Sequence, residues 1–292
     1  MKHIKEHFIK QFEQDNRLVS VAAIENPYRY NPLIDGLDLL LLVVSRSVEE
    51  AVETEHLMIE GERVLIKIAS PSTLEQWMTG GRNRSIILWL VRGEILLDRD
   101  NYLFQIRDRL LKFPGAMREQ KQLVEFAAFI RTYLQAKQDL KDHNLLDAYS
   151  SILTALHHWA HIALIEEGVH PELTVWRQMR RFHPGIYKLY EELTISPETL
   201  EQRVQLVLLA CEFSVMSKMK SSCELLFAIM GSREEPWSVM DLQRHPLLSG
   251  LLLDLSLLLQ KLVNRGYIAE VAVLPPSGDT EALELKYRCE FV

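Results

Sequence analysis

Cysteine is scarce. Cys211, Cys223 and Cys289 are the three in 292 residues. An odd number at wide spacing argues against a disulfide framework, and without a Cys-x-x-Cys pair a thiolate metal site has no basis. They read as reduced core residues of a cytoplasmic protein. A signal core is missing as well. The start, MKHIKEHFIKQFEQDNR, is amphipathic and charged, with no small-residue cleavage site. The Leu-rich stretches at 37–44 and 251–259 are shorter than the roughly 20 apolar residues that a spanning helix needs, so no membrane partner is expected. Positive charge is not in excess either. A formal net charge of −7 speaks against a general nucleic-acid coat and leaves room only for local basic patches.

What is present is ordinary globular composition, 48% hydrophobic and 25% charged, in a chain long enough for two or three domains. Up to residue 116 the pattern mixes strands and helices. Ile4, Phe8, Ile9 and Phe12 share one face of an expected helix over 1–16. LVSVAAI (18–24) reads as a strand, and a loop punctuated by Pro27 and Pro32 follows. LDLLLLVVS reads as a strand buried on both faces. VEEAVETEHLMI reads as a helix or an ordered excursion, RVLIKIAS as a strand, PSTLEQWMTGG as a helix, SIILWLVRG as a strand, EILLDRDN as a turn, and YLFQIRDRLLKFP as a helix.

From 117 to 220 only helical periods remain, at 118–140, 145–167, 172–193 and 197–219, which predicts a four-helix bundle. Residues 221–292 read as three helices (SSCELLFAIMG, SVMDLQRHP and SGLLLDLSLLLQKLVNRG) and a hairpin turning at PPSGD, the order of a winged helix-turn-helix. This last segment holds six Lys and Arg against ten Asp and Glu, and its candidate recognition helix, 249–265, is dominated by leucine. DNA reading therefore ranks behind a protein contact or a homodimer. One face of a helix cannot hide all those leucines, so the bundle or a second subunit should cover the remainder.

Two carboxylates, Asp35 and Asp38, flank Gly36-Leu37 at the mouth of the apolar strand. SVAAI-ENPYRYNPLIDG-LDLLLLVV resembles the layout of the polymerase-beta nucleotidyltransferase superfamily. There a strand leads into a Gly-Ser loop and a second strand carries Asp-x-Asp before an apolar run. WLVRGEILLDRD, LLDAYSSILTALHHWAHIALIEEGVHPELTVW and GIYKLYEEL resemble a family of bacterial nucleotidyltransferase-like proteins that end in a helix-turn-helix. The resemblance implies an α/β plus α fold of three parts: a minimal nucleotidyltransferase-like mixed sheet domain (1–116), a substrate-binding-like helical bundle (117–220) and a winged helix-turn-helix (221–292). It also implies a magnesium-bound nucleoside triphosphate, or another phosphorylated ligand, in a cleft between the first two parts. If the protein is active, it would pass a nucleoside monophosphate to a hydroxyl.

On that resemblance Asp38 holds magnesium and Asp35 assists. Arg82 and Arg84, in TGGRNRS, hold phosphates, since free loop N–H groups beside guanidinium suit an oxyanion. The pattern departs from the family at three places. Glu25-Asn26 stands at the Gly-Ser position, and Gly36 stands where the first aspartate belongs. RVLIKIAS offers Lys67 and no acid for the third carboxylate, with Glu62 only preceding it. In a strand, residues two apart share a face, whereas Asp35 and Asp38 are three apart and need a bend at Gly36 to converge. The metal site is eroded, so ligand binding is expected ahead of catalysis.

His157 and His161 lie four apart, a spacing that can hold zinc, but with no third ligand they read as bundle or surface histidines. Arg177 and His183 loosely fit an Arg-x(4–6)-His ribonuclease pattern, and a solvated basic face explains them better.

Overall fold

The structure is a computed structural model that describes residues 1–28, 30–48, 52–80, 85–172, 174–274 and 282–289. It divides into two compact units, Met1–Pro114 and Gly115–Val292.

The first unit is built on a five-stranded mixed sheet of order β3-β4-β2-β1-β5. Helix α1 (Lys2–Glu13) precedes β1 (Leu18–Glu25), and β2 (Leu39–Ser45) runs antiparallel to it. All seven residues of β2 are buried, as a central strand with two covered faces requires. On one face Val21, Ala23, Leu41, Val43, Val64 and Ile66 pack with Ile4 and Phe8 of α1. β3 (Glu53–Ile59) and β4 (Glu62–Ala69) form a hairpin, and β4 runs parallel to β2. The hairpin turns at Glu60 and Gly61, both at positive φ (52° and 82°), as a two-residue turn with the twist of the sheet demands.

Three segments differ from the sequence reading. Residues 53–59 form an edge strand, not a helix or an excursion. Six of its seven residues are exposed, so it carries no apolar period to read. SIILWLVRG is helix α3 (Ile86–Arg92), with Ile86, Trp89 and Leu90 buried on one face. A short apolar run suits a buried helix as well as a strand. The expected turn after it is strand β5 (Glu94–Asp98), paired with β1. Gly93 makes the switch possible, because a Cβ there would lie 2.5 Å from the Trp89 carbonyl oxygen. Helix α2 (Pro71–Gly80) precedes α3, and α4 (Tyr102–Lys112) closes the unit.

The second unit begins with two long antiparallel helices, α5 (Gly115–Lys141) and α6 (Leu145–Glu166). The helix expected over 172–193 is two, α7 (Val175–Phe182) and α8 (Pro184–Ile195). Pro184 cannot continue α7 and is suited to open α8. A capping box of Thr199 and Gln202 starts α9 (Leu200–Ser222). Then come α10 (Glu224–Met230), α11 (Val239–Arg244), α12 (Leu255–Asn264) and the paired strands β6 (Ile268–Val273) and β7 (Glu284–Cys289). PPSGD lies outside the described residues.

A large hydrophobic core joins the bundle to the C-terminal segment of this unit, and Ala160, Ala163, Leu164, Val175 and Met179 form a second, smaller one. Phe126, Phe129, Ile130, Tyr133 and Trp159 of the bundle share the larger with Leu255, Leu258, Leu259 and Leu262 of α12. The bundle thus supplies the cover that those leucines need. Helix α12 is shorter than expected because Asp254 caps it, its carboxylate accepting from Leu257 N–H, while Leu251 and Leu253 precede the helix and pack on the core.

Candidate functional site

Of the residues singled out in the first unit, Asp35 and Asp38 lie where β1 ends and β2 begins. Asn26 leaves β1 and closes the loop that follows. Its Nδ2 donates to the carbonyls of Asn31 (3.0 Å) and Leu37 (2.7 Å), and its backbone N–H donates to Asp38 O (2.9 Å). Within that loop Asn31 caps the short turn Pro32–Ile34, and then Asp35 (φ 56°) and Gly36 (φ 79°) both take left-handed conformations. The bend expected at Gly36 is therefore present and begins one residue earlier.

Its consequence is an ion pair for each carboxylate. Asp38 is the more buried, with its side chain 11% exposed. It accepts three bonds from Arg63 on β4, from the backbone N–H (2.9 Å), Nε (3.0 Å) and a terminal guanidinium nitrogen (3.0 Å). Two-pronged guanidinium binding of this kind is the strongest charge-assisted arrangement a carboxylate finds on a protein, and it raises the Arg63 pKa. Asp35 accepts from Lys67 Nζ at 3.0 Å and stays well exposed. Aromatic rings back both cations. Arg63 lies 5.1 Å from the Tyr30 centroid and Lys67 5.3 Å from that of Trp89. Trp89 is itself fixed by its indole N–H, which donates to Leu33 O at 2.9 Å. Tyr30, whose ring meets Arg63, is strongly exposed, as is Tyr28 two residues before it.

This donor set does not fit a magnesium ion. Two-metal phosphoryl transfer needs carboxylate oxygens converging on magnesium. Here a lysine and an arginine occupy that role toward the carboxylates, and Glu62 sits at the β3–β4 turn, paired with Ile59. Among the described residues, no group of three or more His, Cys, Asp or Glu could hold a metal. Arg82 and Arg84 lie outside the described residues. Arg63, the partner of Asp38, was not singled out from sequence. It stands 25 residues away, and only the parallel pairing of β2 with β4 brings it alongside.

The remaining candidates belong to the second unit. His157 and His161 stack edge to face at 4.7 Å, and His161 bonds to Glu125. Arg177 is exposed on α7, while His183 ends that helix with Nε2 3.5 Å from Glu167.

Three family models match the chain: Nucleotidyltransferase-like over residues 1–118, YgxA-like substrate binding domain over 119–218, and Helix-turn-helix domain over 224–275. The YgxA protein of Bacillus subtilis (strain 168) is 36% identical over 250 residues, covering 86% of this chain and 85% of its own. The crystal structure of a nucleotidyltransferase-like protein from Exiguobacterium sibiricum 255-15 superposes with a TM-score of 0.86 at 30% identity, covering 99% of each chain. No helix among the described residues is long and apolar enough to cross a membrane.

Proposed function

We propose, for a chain that belongs to the family of nucleotidyltransferase-like proteins that includes Bacillus subtilis YgxA, that its first unit binds a nucleotide or another phosphorylated ligand without magnesium and does not transfer it. The pairing of Asp38 with Arg63 and of Asp35 with Lys67 carries this reading. Where the superfamily leaves its carboxylates free to hold metal, this chain sets a cation against each of them. A guanidinium and an ammonium can meet phosphate oxygens directly, which is the work magnesium does elsewhere. The exposed ring of Tyr30 offers flat apolar surface for a base next to Arg63. Fold alone does not decide activity, and the carboxylates that would perform transfer are committed to internal partners.

Titration calorimetry with ATP, GTP, CTP and UTP, in magnesium and in EDTA, tests this. Affinity should agree within about threefold between the two conditions. It should fall by about tenfold or more in Arg63→Met, because a charge-assisted contact is worth roughly 1.5–3 kcal/mol. Asp38→Ala should retain binding, since it frees the guanidinium. Binding that needs magnesium and Asp38, or magnesium-dependent release of pyrophosphate, would reverse the proposal.

A second reading rests on the helix-turn-helix match over 224–275: a regulator that contacts a protein or DNA. The acidic balance of residues 221–292 places protein first. A homodimer would need surface other than the α12 leucines already covered by the bundle. Fluorescence anisotropy with duplex DNA should show no binding at about 0.15 M salt. Binding with a steep salt slope would put DNA first.

A further inference from the structure

Helix α9 carries apolar residues on two opposite faces. Toward the bundle it turns Val204, Val207, Leu208 and Cys211, all buried in the large core. On its other side Leu206, Leu209 and Phe213 stand at i, i+3 and i+7, a spacing that aligns them in one stripe. They are 46%, 55% and 73% exposed. Single apolar residues are ordinary on a protein surface, but three in line mark a contact. A helix that is apolar all round is normally covered all round. The excess leucines of α12 find that cover in the bundle, whereas the outer stripe of α9 is left open.

The stripe is symmetric along the helix. Gln202 lies seven residues before Leu209 and Lys220 seven after Phe213, so the four share a face whose midpoint falls at Cys211. A second α9 laid antiparallel across that midpoint would set each Leu209 against the other copy's Phe213. Each Lys220 would then be level with Gln202 and within reach of Glu201. A parallel pairing would instead put Glu201 on Glu201 and Lys220 on Lys220. Both charges are exposed, and among the described residues neither makes an ion pair; Glu201 accepts only from Gln205, at 3.3 Å. On the flank of the stripe Glu212 is neutralised by Lys137 of α5, 3.3 Å away, so no bare like charge opposes the approach there.

We propose that the outer face of α9 docks on the same face of a second copy of this chain, antiparallel, about a two-fold axis at Cys211. A two-fold contact uses one patch twice, so it needs a patch complementary to itself. Leu209 facing Phe213 and Glu201 facing Lys220 meet that condition. One helix face is smaller than the roughly 800 Å² per partner of a standard contact, so the dimer is weak and forms with rising concentration. The stripe lies in the segment matched by the YgxA-like substrate binding domain, a description that names no subunit contact. The proposal is independent of the nucleotide reading, whose residues are in the other unit.

Sedimentation velocity of the full chain, from roughly 1 to roughly 200 μM, tests it. The average mass should rise from that of one chain toward that of two. Phe213→Glu should weaken association by about tenfold or more, because it places a charge at the desolvated centre of the contact. Phe213 is exposed in the single chain, so the variant should keep the wild-type circular dichroism spectrum. Lys220→Glu and Glu201→Lys should each weaken the dimer by about threefold, as like charges then meet across it. The exchange E201K/K220E should recover most of that loss, a result that follows only when opposite ends of two copies meet. A chain that stays monomeric throughout, a dimer that survives Phe213→Glu, single reversals without effect, or an exchange that recovers nothing would each overturn the proposal. A monomer would leave the stripe to the chain's own first unit or to another protein.

Discussion

Replacing Trp159 with alanine should cost about 3–5 kcal/mol of stability, the range for removing a large aromatic from a packed core. Trp159 is 6% exposed and belongs to the core that joins the bundle to α12. The residues around it come from several helices, including Ile152, Ala155 and Leu156 on its own helix and Leu123 and Phe126 on α5. They cannot all move inward to fill a void the size of an indole, so much of the cavity term remains. Because this core spans the bundle and the winged segment, the loss should appear as a single cooperative shift covering both. Urea denaturation followed by circular dichroism measures it. An unchanged midpoint would mean that the ring faces solvent.

Glu125→Ala is expected to cost about 2–5 kcal/mol, because the partly buried imidazole N–H groups of His158 and His161 lose their acceptor at once and each unsatisfied donor costs roughly 1–3 kcal/mol. The same carboxylate should shape the acid limb of the stability curve. Its pKa in the folded protein is about 2, below the ordinary 4.5. A depressed carboxylate contributes stability that is fully present above the unfolded value and is lost as pH falls from there toward the folded one. The window is thus from 4.5 down to about 2, and the contribution is about 3 kcal/mol at 1.36 kcal/mol per pKa unit. Glu125→Gln cannot titrate and should lose markedly less stability than the wild type across that window. Parallel acid limbs for the two proteins would show that Glu125 is not held by the histidines.

The sequence could be read wherever a local pattern has one structural solution. The unbroken apolar run Leu39–Val44 is a central strand, and Leu145–Glu166 keeps a helical period through its length. The order of sheet domain, bundle and winged segment followed from such stretches, as did the resemblance to nucleotidyltransferase-like proteins. Asp38 could be placed at the mouth of β2 for the same reason, since a carboxylate ahead of an apolar run has to sit at its end. Three segments had no such uniqueness. Glu53–Ile59 is an edge strand with six of its seven residues exposed, so no alternation of apolar and polar residues marks it. Ile86–Arg92 is a partly buried helix of about two turns whose composition suits a strand equally, and with it misread, β5 had no place beside β1.

What the tertiary structure decided was pairing. Asp38 meets Arg63 only because β2 lies parallel to β4, and Glu125 meets His158 and His161 only because α5 and α6 run side by side. The leucines of α12 looked in excess because the core they share with Phe129 and Ile130 of α5 is built from residues more than 120 positions earlier in the chain. Hydrophobic period and capping act within a few residues and leave their mark in the sequence nearby. Ion pairs and core contacts act between elements whose separation along the chain is arbitrary, so whether a carboxylate faces a metal or a guanidinium is settled only when the strands are laid down.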